Sequence, residues 1–247
     1  MNTSTVVHKK PVCKKLLVLG QHDLKHIFRD QILTVLFLLP VFMIVLLVLG
    51  LPPLTRAFPA IVPYYPVITA VACVAAAVTP SYVISFIMLD EKDEGLFSAL
   101  RVTPVSTFGF LAYRLSFVLL FGFIASLLTI LFTQLISISL LMAASLSLLV
   151  ALAAPLVTLC IVTYASNKIE GITFLKGINF VAMLPVIGFF AAPIWHIPLA
   201  FIPVYWTYQA FDTAASAPDF ALFYTLSLLV HTGLIVWLFR QFMKKVF

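Results

Sequence analysis

Long apolar runs separated by short polar clusters form the dominant pattern along this chain. Four runs each match one bilayer crossing, which takes about 20 residues of helix. They are Ile32–Leu51, Tyr64–Leu89, Gly177–Ile202 and Phe220–Phe239. The pattern predicts membrane-spanning helices, because a helix in hydrocarbon satisfies its own backbone polar groups.

A further apolar run, Leu115–Tyr164, contains no formally charged residue. As one helix it would be about 75 Å long, whereas the hydrocarbon core is about 30 Å thick. The run therefore predicts two spans, with a turn at the polar cluster Thr133–Ser139. The predicted fold is a single all-α polytopic membrane domain over residues 1–247. Its six transmembrane helices are expected at about 32–51, 64–89, 111–134, 138–164, 177–202 and 220–240.

Composition agrees with this class, since 63% of residues are hydrophobic and only 10% are charged. Soluble domains contain about 25% charged residues. The three cysteines are widely spaced and indicate neither a disulfide framework nor a metal site. His22 and His26 have the i, i+4 spacing of a zinc-protease motif, but no Glu follows His22 and no third ligand is evident. We expect no metal, no cofactor and no catalytic residue in this chain.

The distribution of positive charge predicts the orientation. All the lysines and arginines except Arg56 lie on one side of the six predicted spans. The positive-inside rule makes that side cytoplasmic, so both termini are expected on the cytoplasmic side of a prokaryotic cell membrane. The net charge of +6 follows from this topology and does not indicate nucleic-acid binding.

The segment before the first span predicts an amphipathic helix at the membrane interface, at about 14–31. Leu16–Arg29 mixes leucine, isoleucine and phenylalanine with lysine and histidine, a combination typical of interfacial helices. It could be an elbow that positions the first span and borders a partner. It could equally be a basic anchor attracted to anionic membrane lipids, and the two roles are compatible.

Five charged residues in a row, Asp90–Glu94, stand between the second and third predicted spans. Asp90 is suited to cap a helix, and the following acids would lie at the positive end of its dipole. Leu96 and Leu100 share one face of that helix, and Pro104 would end it. The pattern predicts a short cytoplasmic helix at 90–103, which either docks a soluble partner or rests on the bilayer.

Residues 91–105 read Glu-Lys-Asp-Glu-Gly-Leu-Phe-Ser-Ala-Leu-Arg-Val-Thr-Pro-Val. This stretch resembles the E-K/R-x-E-G-x-x-x-x-L-x-x-T/S-P signature of ABC-2 type transporter permeases. The residues from His26 to Asp30 resemble a motif before the first span of that family. Pro203-Val-Tyr-Trp206 is similar to its fluoroquinolone-export type. With the six-span plan, the resemblance covers essentially the whole chain. The departures are Leu96, where the family commonly has Thr, and Arg114, where it usually has Lys.

The resemblance implies a half-transporter that pairs with itself as a homodimer, or with a related permease, and with two ATP-binding cassette subunits. The acidic helix would be the coupling helix, and ATP-driven closure of the ATPase dimer would rock the second and third spans. Its ATPase-coupling residues would be Glu91, Glu94, Gly95, Leu96, Phe97, Leu100, Arg101, Thr103 and Pro104. Because the chain has no GxxxxGK[ST] motif, ATP and Mg²⁺ would be bound by the partner. The chain itself would not be an enzyme.

Polar residues inside the predicted spans are few. His231, near the middle of the sixth span, could be a neutral histidine bonded between helices, or it could contact substrate or a proton on the transport pathway. Small residues at i+4 steps in the second span, Cys73, Ala77, Ser81 and Ser85, indicate close helix packing or a pathway lining.

The expected function is therefore export of a small amphipathic compound, drug-like or lipid-like. One alternative is an ion- or proton-coupled carrier, which usually has acidic residues or arginine near the bilayer midplane; the predicted spans have none there. Another is a membrane enzyme, although no HExxH or GxSxG motif occurs. The outward direction of transport comes from the resemblance.

Overall fold

The computed structural model of the chain describes residues 12–97, 107–190, 192–214 and 217–246. Every regular element within these ranges is helical, as the predicted all-α fold requires. The α-helices are α1 (Val12–Arg29), α2 (Gln31–Ala57), α3 (Tyr65–Asp93), α4 (Thr107–Thr133), α5 (Leu140–Ala151), α6 (Ala153–Tyr164), α7 (Lys168–Met183), α8 (His196–Leu199), α9 (Pro203–Asp212) and α10 (Ala217–Val246). Three 3₁₀ segments, Pro59–Tyr64, Leu184–Phe189 and Pro193–Trp195, join them.

Six segments of the described chain are long and apolar enough to cross a membrane, which confirms the predicted number of spans. They are Gln31–Ala57, Pro59–Asp93, Phe108–Thr133, Leu140–Tyr164, Lys168–Phe189 and Asp219–Lys245. The fourth combines α5 and α6, which are separated at Leu152. Pro155 accounts for this break, because proline has no N–H to donate to the carbonyl of residue 151.

The second and fourth spans form the centre of the bundle. In their most apolar windows, 83% and 78% of residues are buried, against 11% in both the first span and the fifth. The outer spans therefore present most of their apolar side chains to the surroundings, as helices in contact with lipid do.

Small side chains allow α3 and α4 to approach closely. Cys73, Ala77 and Ser81 on α3 are all buried, as the packing interpretation of this stripe requires. A Cβ atom added to Gly122 of α4 would lie 2.8 Å from the Ala77 carbonyl oxygen. Only glycine fits at this backbone contact.

The fifth span differs from its prediction, because it covers Lys168–Phe189 rather than Gly177–Ile202. Asn167 caps its first turn by accepting a hydrogen bond from the Glu170 N–H at 2.9 Å. Lys168 can belong to the helix because carboxylates neutralise it. Residues 193–203 form short helical segments instead of a span, since three prolines interrupt that stretch.

The predicted coupling helix of residues 90–103 is wrong at its start. Asp90 lies in the last turn of α3 rather than at a helix N-cap, because α3 continues to Asp93. The chain then turns at Gly95, whose φ of 75° lies in the left-handed region that glycine adopts without strain. Helical backbone resumes at Leu96 and Phe97. The predicted coupling residues Leu100, Arg101, Thr103 and Pro104 lie outside the described residues.

Candidate functional site

Several helix ends meet in a group of ion pairs on the side of the molecule that carries Asp90. We call this group the charged collar; it consists of Asp23, Asp30, Asp90, Glu91, Arg114 and Lys168. Asp23 lies in the second half of α1 and Arg114 in the third turn of α4. Asp90 and Glu91 lie in the last turn of α3, Asp30 caps α2, and Lys168 begins α7. The collar therefore connects five helices through side-chain charge.

Arg114 is the centre of the collar and is 1% exposed. Its Nη2 lies 3.1 Å from Asp23 Oδ1 and 2.7 Å from Glu91 Oε1. The Tyr113 hydroxyl donates to Asp23 Oδ2 at 3.1 Å, and the guanidinium stands 5.1 Å from the centre of the Phe110 ring. A buried charge needs such partners, because an uncompensated one costs several kcal/mol.

Lys168 forms the second half of the collar. Its Nζ lies 3.0 Å from Asp90 Oδ2 and 3.6 Å from Asp30 Oδ2. Asp30 also caps α2, accepting from the Ile32 and Leu33 N–H groups at 2.8 and 3.3 Å. Partial burial alone would raise the pKa of the Asp30 carboxyl, but these N–H groups and Lys168 bring it below its ordinary value.

The end of α3 is held by two further contacts. The Lys92 Nζ donates to the Ala165 carbonyl at 2.8 Å, at the C-cap of α6. Such a contact is favourable because the last carbonyls of a helix carry partial negative charge. Phe97 is 4% exposed and its ring packs edge-on against Phe110 of α4 and Phe242 of α10.

Exposure divides the predicted coupling residues into two groups. Glu94, Gly95 and Leu96 are exposed, together with Asp93, which was not among the predicted coupling residues. Glu91 and Phe97 instead face the bundle, where they contact Arg114 and the aromatic residues. We call the exposed residues Asp93–Leu96 the acidic hinge.

A cavity of about 470 Å³ lies within the bundle. One wall is α3, with Val74, Val78 and Tyr82, and a second wall is α7, with Phe174 and Asn179. Residues of α6, the start of α9 and His231 of α10 complete the lining. The volume lies within the range of about 300–1,000 Å³ that small-molecule sites occupy.

The two walls are bonded to each other by a polar pair, in which the Tyr82 hydroxyl donates to Asn179 Oδ1. Sequence reasoning missed both residues. Asn179 was detectable as an amide inside an apolar run, but nothing in the sequence paired it with Tyr82, 97 positions away.

His231 is fully buried, at 0% exposure, and lines the cavity. Its Nδ1 lies 2.9 Å from the Ser227 carbonyl oxygen one turn earlier. The Ser227 hydroxyl lies 2.9 Å from the Thr207 hydroxyl of α9. The ring nitrogen Nδ1 is therefore bonded within α10 and not between helices, and contact with a transported compound stays a prediction.

No group of three or more His, Cys, Asp or Glu side chains that could hold a metal ion occurs among the described residues. The polar chemistry described above consists of ion pairs at the collar and neutral hydrogen-bonding groups in the cavity.

Comparison with known proteins matches the chain to a family model described as "Fluoroquinolones export permease protein Rv2686c-like", over residues 23–239. The chain is 29% identical over 241 residues to the fluoroquinolones export permease protein Rv2686c of Mycobacterium tuberculosis strain ATCC 25618 / H37Rv. It is equally similar to the protein MT2760 of strain CDC 1551 / Oshkosh. Each alignment covers 94% of this chain and 95% of the relative. No solved structure gives a significant match.

Proposed function

Because the chain belongs to the family of Rv2686c-like fluoroquinolones export permeases, which are of the ABC-2 type, we propose that it is the membrane subunit of an ATP-driven drug exporter. It is a multi-pass membrane permease. Its ATP would be hydrolysed by a separate ATP-binding cassette subunit, and its cargo would be a small amphipathic compound moved outward.

The observation that carries this proposal is the acidic hinge at the end of α3. Asp93, Glu94 and Leu96 are exposed beside one another, so the hinge offers negative charge next to an apolar side chain. A groove with basic residues and an apolar floor on an ATPase subunit would complement both features. With the basic side of the membrane domain cytoplasmic, the hinge would face that subunit.

The acidic hinge is also connected to the cavity through α3, so that a displacement of the hinge would be transmitted to the cavity walls. α3 runs without interruption from Tyr65 to Asp93, and Tyr82 in the cavity wall lies about 12 Å along the helix axis from Asp90. The second wall, α7, is joined to α3 at the collar by the ion pair of Lys168 and Asp90. Movement of the hinge would therefore act on both walls.

The complete transporter would contain two permease subunits and two ATPase subunits. The second permease would be another copy of this chain or a related permease. The outer spans α2 and α7 expose enough apolar surface to contact either lipid or that second subunit.

Capture of the ATPase tests the docking site. The tagged chain is co-expressed with ATP-binding cassette proteins of the same genome, and the amount captured is measured. We expect Leu96→Asp and Glu94→Lys each to reduce capture about tenfold, which corresponds to about 1.4 kcal/mol. Gly95→Pro should act in the same direction, because proline cannot adopt the φ of 75° found there.

Arg56→Glu is the matched control. It reverses an exposed charge in the last turn of α2, at the opposite end of that helix from Asp30 of the collar, and should leave capture unchanged. Membrane yield is measured for every variant, so that loss of capture is separated from loss of insertion. Capture by both Leu96→Asp and Glu94→Lys at the wild-type level would refute the docking site.

A further inference from the structure

The cavity between α3 and α7 lies at the depth of the bilayer hydrocarbon. Its lining on α3 begins at Val74 and ends at Tyr82, about 12–24 Å along the helix axis from Asp90 of the collar. Its lining on α7 falls between residues 173 and 183, about 8–22 Å from Lys168. Charged side chains such as those of the collar stand at the boundary of the hydrocarbon, which is about 30 Å thick. The cavity therefore lies within that thickness.

The cavity is open along one edge of α7. Its lining residues on this helix form two stripes with i+4 spacing. The half-buried stripe consists of Phe174, Ile178 and Ala182. The exposed stripe consists of Thr173, Gly177 and Val181. A Cβ atom added to Gly177 would meet nothing within 4 Å, so the mouth of the cavity runs along the exposed stripe, at the side of the bundle.

The lining restricts the charge of a bound compound. None of the lining residues is Asp, Glu, Lys or Arg, so a fixed cation or anion would lose its hydration without gaining a counter-charge. The Tyr82 hydroxyl donates to Asn179 Oδ1, and the Thr173 hydroxyl lies 3.4 Å from the Ile169 carbonyl oxygen. His231 has no exposed surface. The rest of the lining is apolar, so affinity would come from apolar contact.

We propose that this cavity binds an uncharged, mainly apolar compound that enters from the hydrocarbon of the bilayer, past Gly177 at the edge of α7. The proposal rests on the proposed function, in that the bound compound is taken to be cargo. It narrows the cargo from amphipathic compounds in general to compounds that are uncharged when bound. It also makes the membrane, and not the cytoplasm, the phase from which they are taken.

Two fluorescent compounds with the same apolar body test the selectivity for charge: methylpyrene and the pyrenylmethyl trimethylammonium ion. Binding to the purified full chain in lipid nanodiscs is read from pyrene anisotropy, with empty discs subtracted. The part that excess fluorene displaces is taken as specific, because fluorene is apolar and does not absorb at the excitation wavelength of pyrene. We expect specific binding of methylpyrene, and binding of the cation that is weaker by at least about tenfold.

A side chain placed at the mouth should obstruct the site. Position 177 shares its helix face with Thr173 and Val181, one turn away in each direction. Gly177→Leu should weaken binding of methylpyrene about tenfold, because the leucine would displace about two CH₂ groups of apolar contact. Gly233→Leu on α10 is the matched control and should bind normally, because an added Cβ there also meets nothing within 4 Å and position 233 is outside the lining. If Gly177→Leu fails to fold, Thr173→Phe on the same stripe replaces it.

Fluorescence quenching tests from which phase the mouth is reached. A bimane group is attached to Gly177→Cys in a chain whose native cysteines, Cys13, Cys73 and Cys160, are replaced by alanine. We expect lipids with brominated acyl chains to quench its emission and aqueous iodide to leave it unchanged. Arg56→Cys, at an exposed position near the end of α2, is the reference for a site that iodide reaches.

No specific binding of methylpyrene to the wild-type chain would overturn the proposal, as would equally tight binding of the cation or unchanged binding to a folded mouth variant. Quenching at position 177 by iodide would overturn entry from the bilayer, and so would quenching by neither agent, since protein would then cover the mouth. These measurements use neither nucleotide nor an ATPase subunit. A failure here therefore leaves the docking experiment at the hinge unaffected, and a failure there leaves this binding intact.

Discussion

Replacement of Arg114 by methionine is the most direct test of the charged collar. The methionine side chain keeps much of the arginine volume, but it leaves the Asp23 and Glu91 carboxylates without the cation that lies 3.1 and 2.7 Å from them. Arg114 and Asp23 are each 1% exposed, so water cannot replace the lost partner at Asp23.

Removal of one member of a buried ion pair costs about 3–5 kcal/mol. In a chain of this length, 1 kcal/mol changes the midpoint of thermal unfolding by about 2–4 °C. We therefore expect the unfolding temperature of Arg114→Met in detergent to fall by at least about 6 °C. The unfolding temperature of Arg114→Lys should lie between those of the wild type and Arg114→Met, because a lysine ammonium keeps the charge but not the geometry of the guanidinium.

Two comparisons make the result specific. Arg240→Met removes an exposed arginine from α10 and should change the unfolding temperature by less than about 2 °C. Neutralising the acids in the triple variant Asp23→Asn, Glu91→Gln, Arg114→Met should restore most of the loss, because no uncompensated charge remains. A decrease below about 2 °C for Arg114→Met, or no recovery in a folded triple variant, would refute the reasoning.

Three smaller predictions concern helix ends and contacts. Gly122→Ala should destabilise the chain by about 1–3 kcal/mol, because its Cβ would lie 2.8 Å from the Ala77 oxygen. Gly50→Ala is the control and should leave stability unchanged, because its Cβ would meet nothing within 4 Å. Equal unfolding temperatures for the two variants would contradict this prediction. Asp30→Ala should cost about 1 kcal/mol of stability at neutral pH. The pKa of Asp30 is lowered in the folded chain. The contribution of the Asp30 carboxylate to stability is therefore fully present above the pKa of the unfolded chain, about 4, and is lost as the pH falls through the pKa of the folded chain. Asp30→Asn keeps the cap and should lack this pH dependence. Gly95→Ala should cost about 1 kcal/mol, because φ is 75° there; a stability equal to that of wild type in chemical unfolding would argue against it.

The spans could be predicted from sequence because each depends on a local property, the length of an apolar run. The same reasoning placed the turn of the long run near Thr133–Ser139, and the structure has its connection at residues 134–139. Where distant residues decide the outcome, sequence was insufficient. Lys168 fell within the predicted loop between the fourth and fifth spans, yet it belongs to α7, because Asp30 and Asp90 neutralise it.

The site was less predictable than the fold, because the hydropathy of a segment does not show which face of the helix points toward its neighbours. Asp90 has the composition of a helix cap but lies in the last turn of α3, where ion pairs with other helices offset an unfavourable dipole. Glu91 and Phe97 were expected to face a partner and instead face Arg114 and Phe242. His231 was singled out as costly, but only the structure shows which ring nitrogen is unpaired.

The central claim is that ATP hydrolysed by a docked partner drives export through the acidic hinge. Proteoliposomes that contain the permease and its ATPase subunit allow a direct test, in which transport of a small fluorescent amphipathic compound is followed with and without ATP. We predict ATP-dependent transport by the wild-type chain and its loss in Leu96→Asp, with Arg56→Glu unaffected. Transport by Leu96→Asp at the wild-type rate, or wild-type transport that is equally fast without ATP, would contradict it.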